Sequence, residues 1–317
     1  MDRRAFLSLG LAAVPALAGV RAVPRRAPLA LATADTQSHV VVVSLVSGRV
    51  VQRLHTVEDP RSIESGGGGH VVVAHPAAGA VSLLTVRPAR VRRVLRGLGA
   101  PRYTAIAPDG AHAFVTDGDR GEVVVVDLRR ARIVAGVEVG AGARHVTLDP
   151  AGRTLWAALG SSASAIAVVD VSEPRRPRLR RRVRPPFLAH DVAFSPSGRR
   201  VWVSAGRVAR LAVLPAGDTG RPVLLAADAA PQHVSFGRGV AFVASGVGAT
   251  LRTHELSDGR LRHTARVPLG SYNVSAGAGS VVSPSLASGR LTIADRAGAV
   301  RREVKVAPAA HDACIVA

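Results

Sequence analysis

Pairs of polar residues with the side chains needed for metal, anion or proton chemistry recur along this chain at intervals of 39 to 46 residues. The seven pairs are Arg61-Ser62, Arg102-Tyr103, Arg144-His145, His190-Asp191, Gln232-His233, Tyr272-Asn273 and His311-Asp312. Imidazole nitrogens and carboxylate oxygens bind divalent metals, and guanidinium groups bind carboxylates and phosphates. A histidine beside an aspartate can also transfer protons. Each of these chemistries requires a fold that brings distant pairs together.

A duplicated Ala-His-Asp sequence, at 189–191 and 310–312, gives the clearest candidates. The residues predicted to bind a divalent metal, or to act in catalysis, are His190, Asp191, His311 and Asp312. No other cofactor is predicted. The wider set predicted to bind a ligand is Arg61, Arg102, Tyr103, Arg144, His145, His190, His233, Tyr272 and His311. In that set the three arginines could hold an anion. The alternative is structural, because polar side chains at a wet opening also satisfy loop backbone groups.

The stretch from Pro101 to Gly140 indicates which elements position these pairs. Its apolar runs have the length of β-strands and are separated by turn sequences such as Pro108-Asp109-Gly110. The predicted strands are Thr104 to Ala107, Ala113 to Thr116, Val123 to Val126 and Ile133 to Val139. This order predicts a four-stranded antiparallel meander.

The same pattern returns along the whole chain. Units start at Pro60, Pro101, Ala143, Ala189, Pro231, Ser271 and Ala310. A period near 40 residues with four strands per unit is typical of a β-propeller. The last unit has room for one strand only, whereas Ala30 to Glu58 aligns with the second, third and fourth strands of a unit. We therefore predict an all-β, seven-bladed propeller over residues 23–317, in which the C-terminal strand completes the N-terminal blade.

A propeller would bring the seven pairs to one place. The first strand of each blade lines the central channel, and each pair stands at the start of such a strand. The sequence therefore predicts a polar site at one mouth of the channel. Strand parity does not decide which member of each pair faces the axis.

A family resemblance supports the predicted fold. The sequences AHDVAFSPSG at 189–198 and RVWVS at 200–204 resemble the YVTN-type repeats of bacterial seven-bladed propellers. Such repeats occur in surface-layer proteins, lactonase-like proteins and exported YncE-like proteins, so the resemblance specifies the fold better than the function. Lactonase-like propellers use metal or general-base residues on the channel face. Some YncE-like proteins are associated with DNA, but residues matching that role are not evident in this sequence.

The first 22 residues predict an export signal. The sequence Asp2-Arg3-Arg4-Ala5-Phe6-Leu7 resembles a twin-arginine core, and it is followed by an apolar stretch and by cleavage sites of the A-x-A type. This resemblance implies an extracellular, periplasmic or cell-envelope location. The apolar stretch is too short and alanine-rich to be a good permanent membrane anchor.

The chain is strongly basic, with a formal net charge of +20. Seven arginines lie in the insertion between Glu173 and Phe187, and they form a predicted surface for a phosphate or an anionic cell-wall polymer. These residues are Arg175, Arg176, Arg178, Arg180, Arg181, Arg182 and Arg184. The alternative is an outer strand whose charges protect a sheet edge. Aromatic residues make up only 3% of the chain, which gives weak support for nucleic-acid binding.

The sequence lacks several enzyme signatures, among them the G-x-S-x-G elbow, the H-E-x-x-H zinc motif and the Walker lysine. A single cysteine, Cys314, excludes an internal disulfide. The predicted function is therefore an exported, monomeric binding scaffold. Its partner would be a protein, a small anionic ligand or an anionic envelope polymer. The alternative is a metal-assisted hydrolase or lyase at the same channel face.

Overall fold

The computed structural model describes residues 27–66, 69–217 and 220–317. The predicted export signal, residues 1–22, lies outside these ranges. No helix in the described ranges has the length and apolar character needed to cross a lipid bilayer.

Twenty-eight β-strands and a short 3-10 helix at Asp35–Gln37 form the regular structure of the described ranges. The strands are β1 (Leu29–Ala34), β2 (His39–Ser44), β3 (Val50–His55), β4 (Ser62–Ser65), β5 (His70–His75), β6 (Ala80–Val86), β7 (Ala89–Arg96), β8 (Pro101–Ile106), β9 (His112–Asp117), β10 (Glu122–Asp127), β11 (Arg132–Glu138), β12 (Ala143–Leu148), β13 (Thr154–Leu159), β14 (Ile166–Asp170), β15 (Arg178–Val183), β16 (Val192–Phe194), β17 (Arg200–Ser204), β18 (Arg210–Pro215), β19 (Val223–Ala226), β20 (Val234–Gly237), β21 (Val240–Ser245), β22 (Thr250–Glu255), β23 (Leu261–Arg266), β24 (Ser275–Gly277), β25 (Ser280–Pro284), β26 (Arg290–Asp295), β27 (Val300–Lys305) and β28 (Ala313–Val316).

These strands form seven antiparallel sheets of four strands each, which we call blades. Blade 1 has the order β28-β1-β2-β3, and blades 2 to 7 are the successive groups β4–β7, β8–β11, β12–β15, β16–β19, β20–β23 and β24–β27. The predicted seven-bladed fold is confirmed. The predicted closure is confirmed too, because β28 pairs with β1 in the register that places Cys314 opposite Leu31.

The blades stand in a closed ring. The innermost strands contact one another in the circular order β28, β4, β8, β12, β16, β20, β24 and again β28. Each innermost strand begins at the same side of the ring, which we call the mouth. The seven polar pairs of the sequence therefore lie around one opening.

The hydrophobic core is divided between the blades rather than concentrated at one centre. Strand β17 shows why: Val201 and Val203 pack against blade 4, whereas Trp202, between them, packs against blade 6. Alternate residues of a strand point to opposite faces of the sheet, so both faces of each blade are buried by neighbours. The Trp156 and Phe194 rings, from adjacent blades, meet edge to face with centroids 6.0 Å apart. Every blade thus depends on the ring for its burial.

Hydroxyl groups at the ends of second strands tie adjacent blades together at the mouth. The Thr116 hydroxyl accepts a hydrogen bond from the Tyr103 backbone N–H at 3.1 Å and donates to the Arg144 carbonyl of the next blade. Ser204 makes the equivalent bonds with Asp191 and the Gln232 carbonyl. These bonds fix the backbone that carries the polar pairs.

We expect Thr116→Val to lower the free energy of unfolding by about 1–3 kcal/mol, because the substitution leaves buried backbone groups without a partner at unchanged side-chain volume. Thr264→Val, on the exposed outer strand β23, is the control and should change it by about 0.5 kcal/mol or less. Urea denaturation measures both variants. Equal effects would show that the Thr116 bonds do not hold the blades together.

Candidate functional site

A polar cavity of about 430 Å³ occupies the channel below the mouth. Its wall includes Ser62, Glu64, Tyr103, Asp191, His233 and Asp312. The cavity is large enough for a small molecule or a hydrated ion. Its polar wall makes it unsuited to a purely apolar ligand.

Irregular backbone at the start of the inner strands decides which side chains meet at the mouth. The β8–β9 register shifts between Pro101 and Thr104, and the β12–β13 register shifts between Ala143 and Val146. A bulge of this kind re-aims the side chains that it contains. It therefore brings Tyr103 and His145 into ring contact at the mouth.

Three histidines from consecutive blades converge there. His145 of blade 4, His190 of blade 5 and His233 of blade 6 offer ring nitrogens that all lie within 4.8 Å of one another. The ring centroid of His145 is 4.5 Å from that of His190 and 4.9 Å from that of His233. Zinc bound tetrahedrally by nitrogens at about 2.0–2.1 Å needs them roughly 3.3 Å apart, so ligation requires the rings to close in by about 1 Å or more.

In two of these histidines a neighbouring oxygen lies against Nδ1, which leaves Nε2 facing away from it. His190 Nδ1 lies 3.1 Å from the Ser161 carbonyl oxygen, which can only accept, so the neutral ring carries its proton on Nδ1. His233 Nδ1 lies 3.5 Å from the Asp191 carboxylate. In His190 Nε2 is therefore the available lone pair, and in His233 Nε2 lies on the side of the ring away from Asp191. A carboxylate or carbonyl on the far nitrogen is the usual support of a metal-binding histidine.

His145 is the most unusual member of the cluster. Its side chain is fully buried, and neither ring nitrogen makes a hydrogen bond of ordinary geometry with any described residue. The His190 backbone is its one hydrogen-bonding neighbour in the described part of the chain, in a contact that acts to raise the His145 pKa. An unpaired buried polar group costs about 1–3 kcal/mol. Such a group has an explanation if it serves as a ligand.

Burial also holds two of the three rings, those of His145 and His190, in the neutral form that binds metals. It lowers the pKa of His145 well below its usual value, and the neighbouring His190 and His233 act in the same direction. Burial, followed by the effect of His233, lowers the pKa of His190 to about 4. At neutral pH both rings are therefore unprotonated without a metal, so protons compete little with metal binding.

Glycine at position 206 makes room for this cluster. The residue lies in the loop after β17 with a φ of +66°, and a Cβ there would be 2.7 Å from His190 Cβ. Any other residue would be strained and would displace His190. Sequence reasoning did not identify this position, and a Gly among many turn glycines gives no signal for it.

Tyr103 joins the histidines to a group of arginines. Its ring lies 4.1 Å from the His145 ring, and the Arg144 guanidinium lies 5.7 Å from the Tyr103 ring centroid. Burial raises the pKa of Tyr103 to about 12, so the phenol stays protonated. Arg144 and Arg102 are half-buried, and Arg61 lies 3.8 Å from Asp59.

The two predicted aspartates connect blades. The Asp191 carboxylate accepts a hydrogen bond from the Val234 N–H of blade 6 at 3.1 Å. In the same way Asp312, which directly precedes the closing strand β28, accepts one from the Ile63 N–H of blade 2 at 3.0 Å. Their repeated position thus has a structural use. The Asp191 carboxylate has a second role, because it faces the His233 ring rather than the ring of its sequence neighbour His190.

The remaining predicted ligand residues lie apart from the three histidines. Burial lowers the pKa of His311 to about 3. The neighbouring Arg61, His233 and Arg144 act in the same direction. It makes no ring contact with the described members of the cluster. Tyr272 packs over Gly246, in a neighbouring loop. The structure therefore brings together Tyr103, Arg144, His145, His190 and His233, with His311 at their side.

Glu64 points to a further property of the channel wall. Burial, followed by repulsion from Asp312, raises its pKa to about 8. The unfolded chain would ionise this group near pH 4.5, so folding takes up a proton between pH 4.5 and 8, and stability falls as the pH rises through that range.

We expect Glu64→Gln to remove this contribution, since glutamine is a neutral group of the same shape. The variant should match the native protein near pH 5 and become progressively more stable than it up to pH 9. Melting temperatures across that range, with exposed Glu138→Gln as the control, measure the difference. A constant difference at every pH would contradict the raised pKa.

The arginine insertion covers the turn before β15 and β15 itself, the outermost strand of blade 4. Several of its side chains have internal partners: Arg180 pairs with Asp170, and Arg182 donates to the Val139 carbonyl. The Arg181 guanidinium lies 5.8 Å from the Trp156 ring centroid. Arg176, Arg178 and Arg184 are exposed. The insertion thus helps to cover blade 4, while its contact with an anionic partner stays a prediction.

Together these features define the class: a seven-bladed β-propeller with a histidine- and arginine-lined channel mouth. No family model matches the sequence, and no curated protein matches it. Similarity is found at the level of structure. A functionally unknown protein from Desulfotomaculum acetoxidans superposes with a TM-score of 0.78 at 13% identity, covering 90% of this chain and 98% of that one.

Two further solved structures are similar. Hydrazine synthase of Kuenenia stuttgartiensis gives a TM-score of 0.73 at 16% identity, over 83% of this chain and 91% of that one. Apo AztD from Citrobacter koseri gives 0.70 at 10% identity, over 92% of this chain and 98% of that one. At these identities the similarity establishes the fold alone.

Proposed function

We propose that this protein is a metal-binding propeller that holds one divalent transition-metal ion at the channel mouth through His145, His190 and His233. The observation that carries the proposal is the convergence of three imidazoles, one of them fully buried with neither ring nitrogen in a well-formed hydrogen bond to a described residue. Imidazole nitrogens suit zinc, copper(II) and nickel(II) better than calcium or magnesium. The channel mouth is thus a binding site for a metal ion rather than only a wet opening.

The proposal keeps the predicted binding scaffold and gives it a ligand. Three protein ligands leave one of the four coordination positions of the metal open. An acceptor molecule can bind the metal at that position and take it from the protein. Export through a twin-arginine-type signal, at residues 1–22, is part of the same proposal and rests on the sequence alone. An exported carrier of this kind would bind metal outside the cytoplasm.

Titration of metal-free protein with zinc tests the proposed function. We expect one zinc ion per chain by isothermal titration calorimetry, and a melting temperature that rises with zinc concentration, because a ligand that binds only the folded state stabilises it. Calcium and magnesium should have no such effect at equal concentrations. Absence of zinc binding at micromolar protein concentration would overturn the proposal.

A metal-assisted hydrolase is a second candidate, favoured by the same open coordination position. Three histidines with a water in the fourth position are a known catalytic zinc arrangement. The test is hydrolysis of lactones and esters by zinc-loaded protein against metal-free protein. A rate that does not depend on zinc would remove this candidate and leave the carrier function standing.

A further inference from the structure

The three arginines at the mouth are not used by the proposed metal site, although they lie beside it. Arg61, Arg102 and Arg144 occupy the same repeat position in blades 2, 3 and 4. The three histidines belong to blades 4, 5 and 6, so the arginines and the histidines are neighbours around the ring. The electrostatic neighbours of Arg144 include both Arg102 and Arg61. Three positive side chains therefore share one arc of the opening.

This arc carries more positive charge than its surroundings neutralise. Arg61 has a carboxylate partner, Asp59, at 3.8 Å. The described residues provide no ion pair for Arg102 or Arg144 within 4.0 Å. Holding half-buried like charges near one another is unfavourable unless an anion compensates them.

Arg144 adds an unsatisfied donor to this excess charge. Its Nε is buried and has no hydrogen-bond partner among the described residues. Its backbone is fixed, because the Arg144 carbonyl accepts the hydrogen bond from Thr116. Arg102 is directed across the mouth face as well, since its side chain lies 3.3 Å from the position of a Cβ on Gly118. The backbone of Arg144 and the side-chain stem of Arg102 therefore place both residues at the mouth.

The potential competitors for these cations are already engaged. Asp191 accepts a hydrogen bond from the Val234 N–H, and Asp312 accepts one from the Ile63 N–H. These two carboxylates thus direct oxygens at backbone groups between blades, and neither forms an ion pair with an arginine of the arc.

We propose that Arg102 and Arg144, with Arg61 at the edge, form a binding subsite for a small oxyanion that carries two or more carboxylate or phosphate oxygens. Guanidinium groups bind such oxygens in pairs, through two parallel N–H donors. This subsite does not depend on the proposed metal function.

A second step does rest on the proposed metal function. Tyr103 lies between the arginine arc and the histidines, in contact with Arg144 on one side and with His145 on the other. An anion held by the arc would therefore reach the open coordination position of the metal. We infer that the protein takes its metal together with an anionic ligand, as a ternary complex.

Calorimetric titration of metal-free protein with citrate and, separately, with inorganic phosphate at low salt tests the subsite. The charge-neutral variant Arg102→Gln/Arg144→Gln should bind the preferred anion about tenfold or more weakly than the native protein does. The control Arg176→Gln/Arg178→Gln removes the same charge from the exposed perimeter and should change the affinity by less than about twofold. Binding of citrate alone assigns a polycarboxylate, and binding of phosphate alone assigns a phosphate compound.

The possible failures are distinguishable. If neither anion binds, or if both double variants weaken binding equally, the subsite is overturned, whatever zinc does. If an anion binds through the arc but zinc does not bind, the subsite stands and the proposed metal function fails. The ternary complex requires that zinc and the anion raise each other's affinity by the same factor. Unchanged affinities in that cross-titration would reject the second step.

Discussion

Replacing His145 by phenylalanine is expected to weaken zinc binding by about 100-fold or more, while leaving the metal-free protein at least as stable as before. The loss follows from the removal of one of three proposed ligands, since even partners of a ligand contribute 10- to 100-fold to metal affinity. The retained stability follows from the chemistry of the site. Phenylalanine has a similar shape, and it replaces a ring whose two buried nitrogens make no well-formed hydrogen bond with the described residues.

This opposite response of affinity and stability separates a ligand from a structural residue. A histidine that holds the fold would destabilise the protein when replaced. His263→Phe, on the exposed face of β23, is the matched control and should leave zinc affinity unchanged. Calorimetry with zinc and thermal melts without metal measure the two quantities. A native zinc affinity in His145→Phe would exclude His145 from the site.

Deletion of residues 311–317 is expected to have the largest effect on the fold. The segment contains β28, the inner strand of blade 1, whose loss leaves β1 with an unpaired edge and opens two interfaces between blades. Burial of a large apolar side chain contributes about 1.5–3 kcal/mol. The loss of the Val316 and Cys314 side chains and of the backbone hydrogen bonds between β28 and β1 should therefore lower the free energy of unfolding by about 5 kcal/mol or more. We expect an aggregated chain, or one with a much lower melting temperature.

A synthetic peptide spanning residues 309–317 should restore much of the lost stability when added to the shortened chain, because an extended peptide can add itself to an open sheet edge. Removal of Ala317 alone, an exposed residue, is the control and should have little effect. Size-exclusion chromatography and thermal melts follow the outcome. A shortened chain that stays monomeric at the native melting temperature would refute closure of the ring through β28.

The fold was predictable because its signal is repeated. The period near 40 residues, the alternating apolar strands and the two incomplete ends each indicate the same ring. Trp156 and Trp202 recur at one position of the repeat and pack at successive blade interfaces. A repeat averages out local ambiguity, since an error in one unit is corrected by the others.

The site was less predictable, because its details depend on departures from the repeat. The pairs at the mouth were found from their spacing, but bulges at 101–104 and 143–146 decide which member faces its neighbours. Strand parity fails at a bulge. The roles of Thr116 and Gly206 are not visible in the sequence, since hydroxyl and glycine residues are common throughout it. The pairing of Asp191 with His233 of the next blade, rather than with adjacent His190, likewise requires coordinates.

The central claim is that histidines 145, 190 and 233 bind one metal ion together, and X-ray absorption spectroscopy of the protein loaded with one equivalent of zinc tests it most directly. The account predicts a first shell with three imidazole nitrogens at about 2.0–2.1 Å and one further light atom. In His145→Phe the imidazole contribution should fall to two. A shell made only of oxygens, or a native spectrum unchanged by that substitution, would contradict the account.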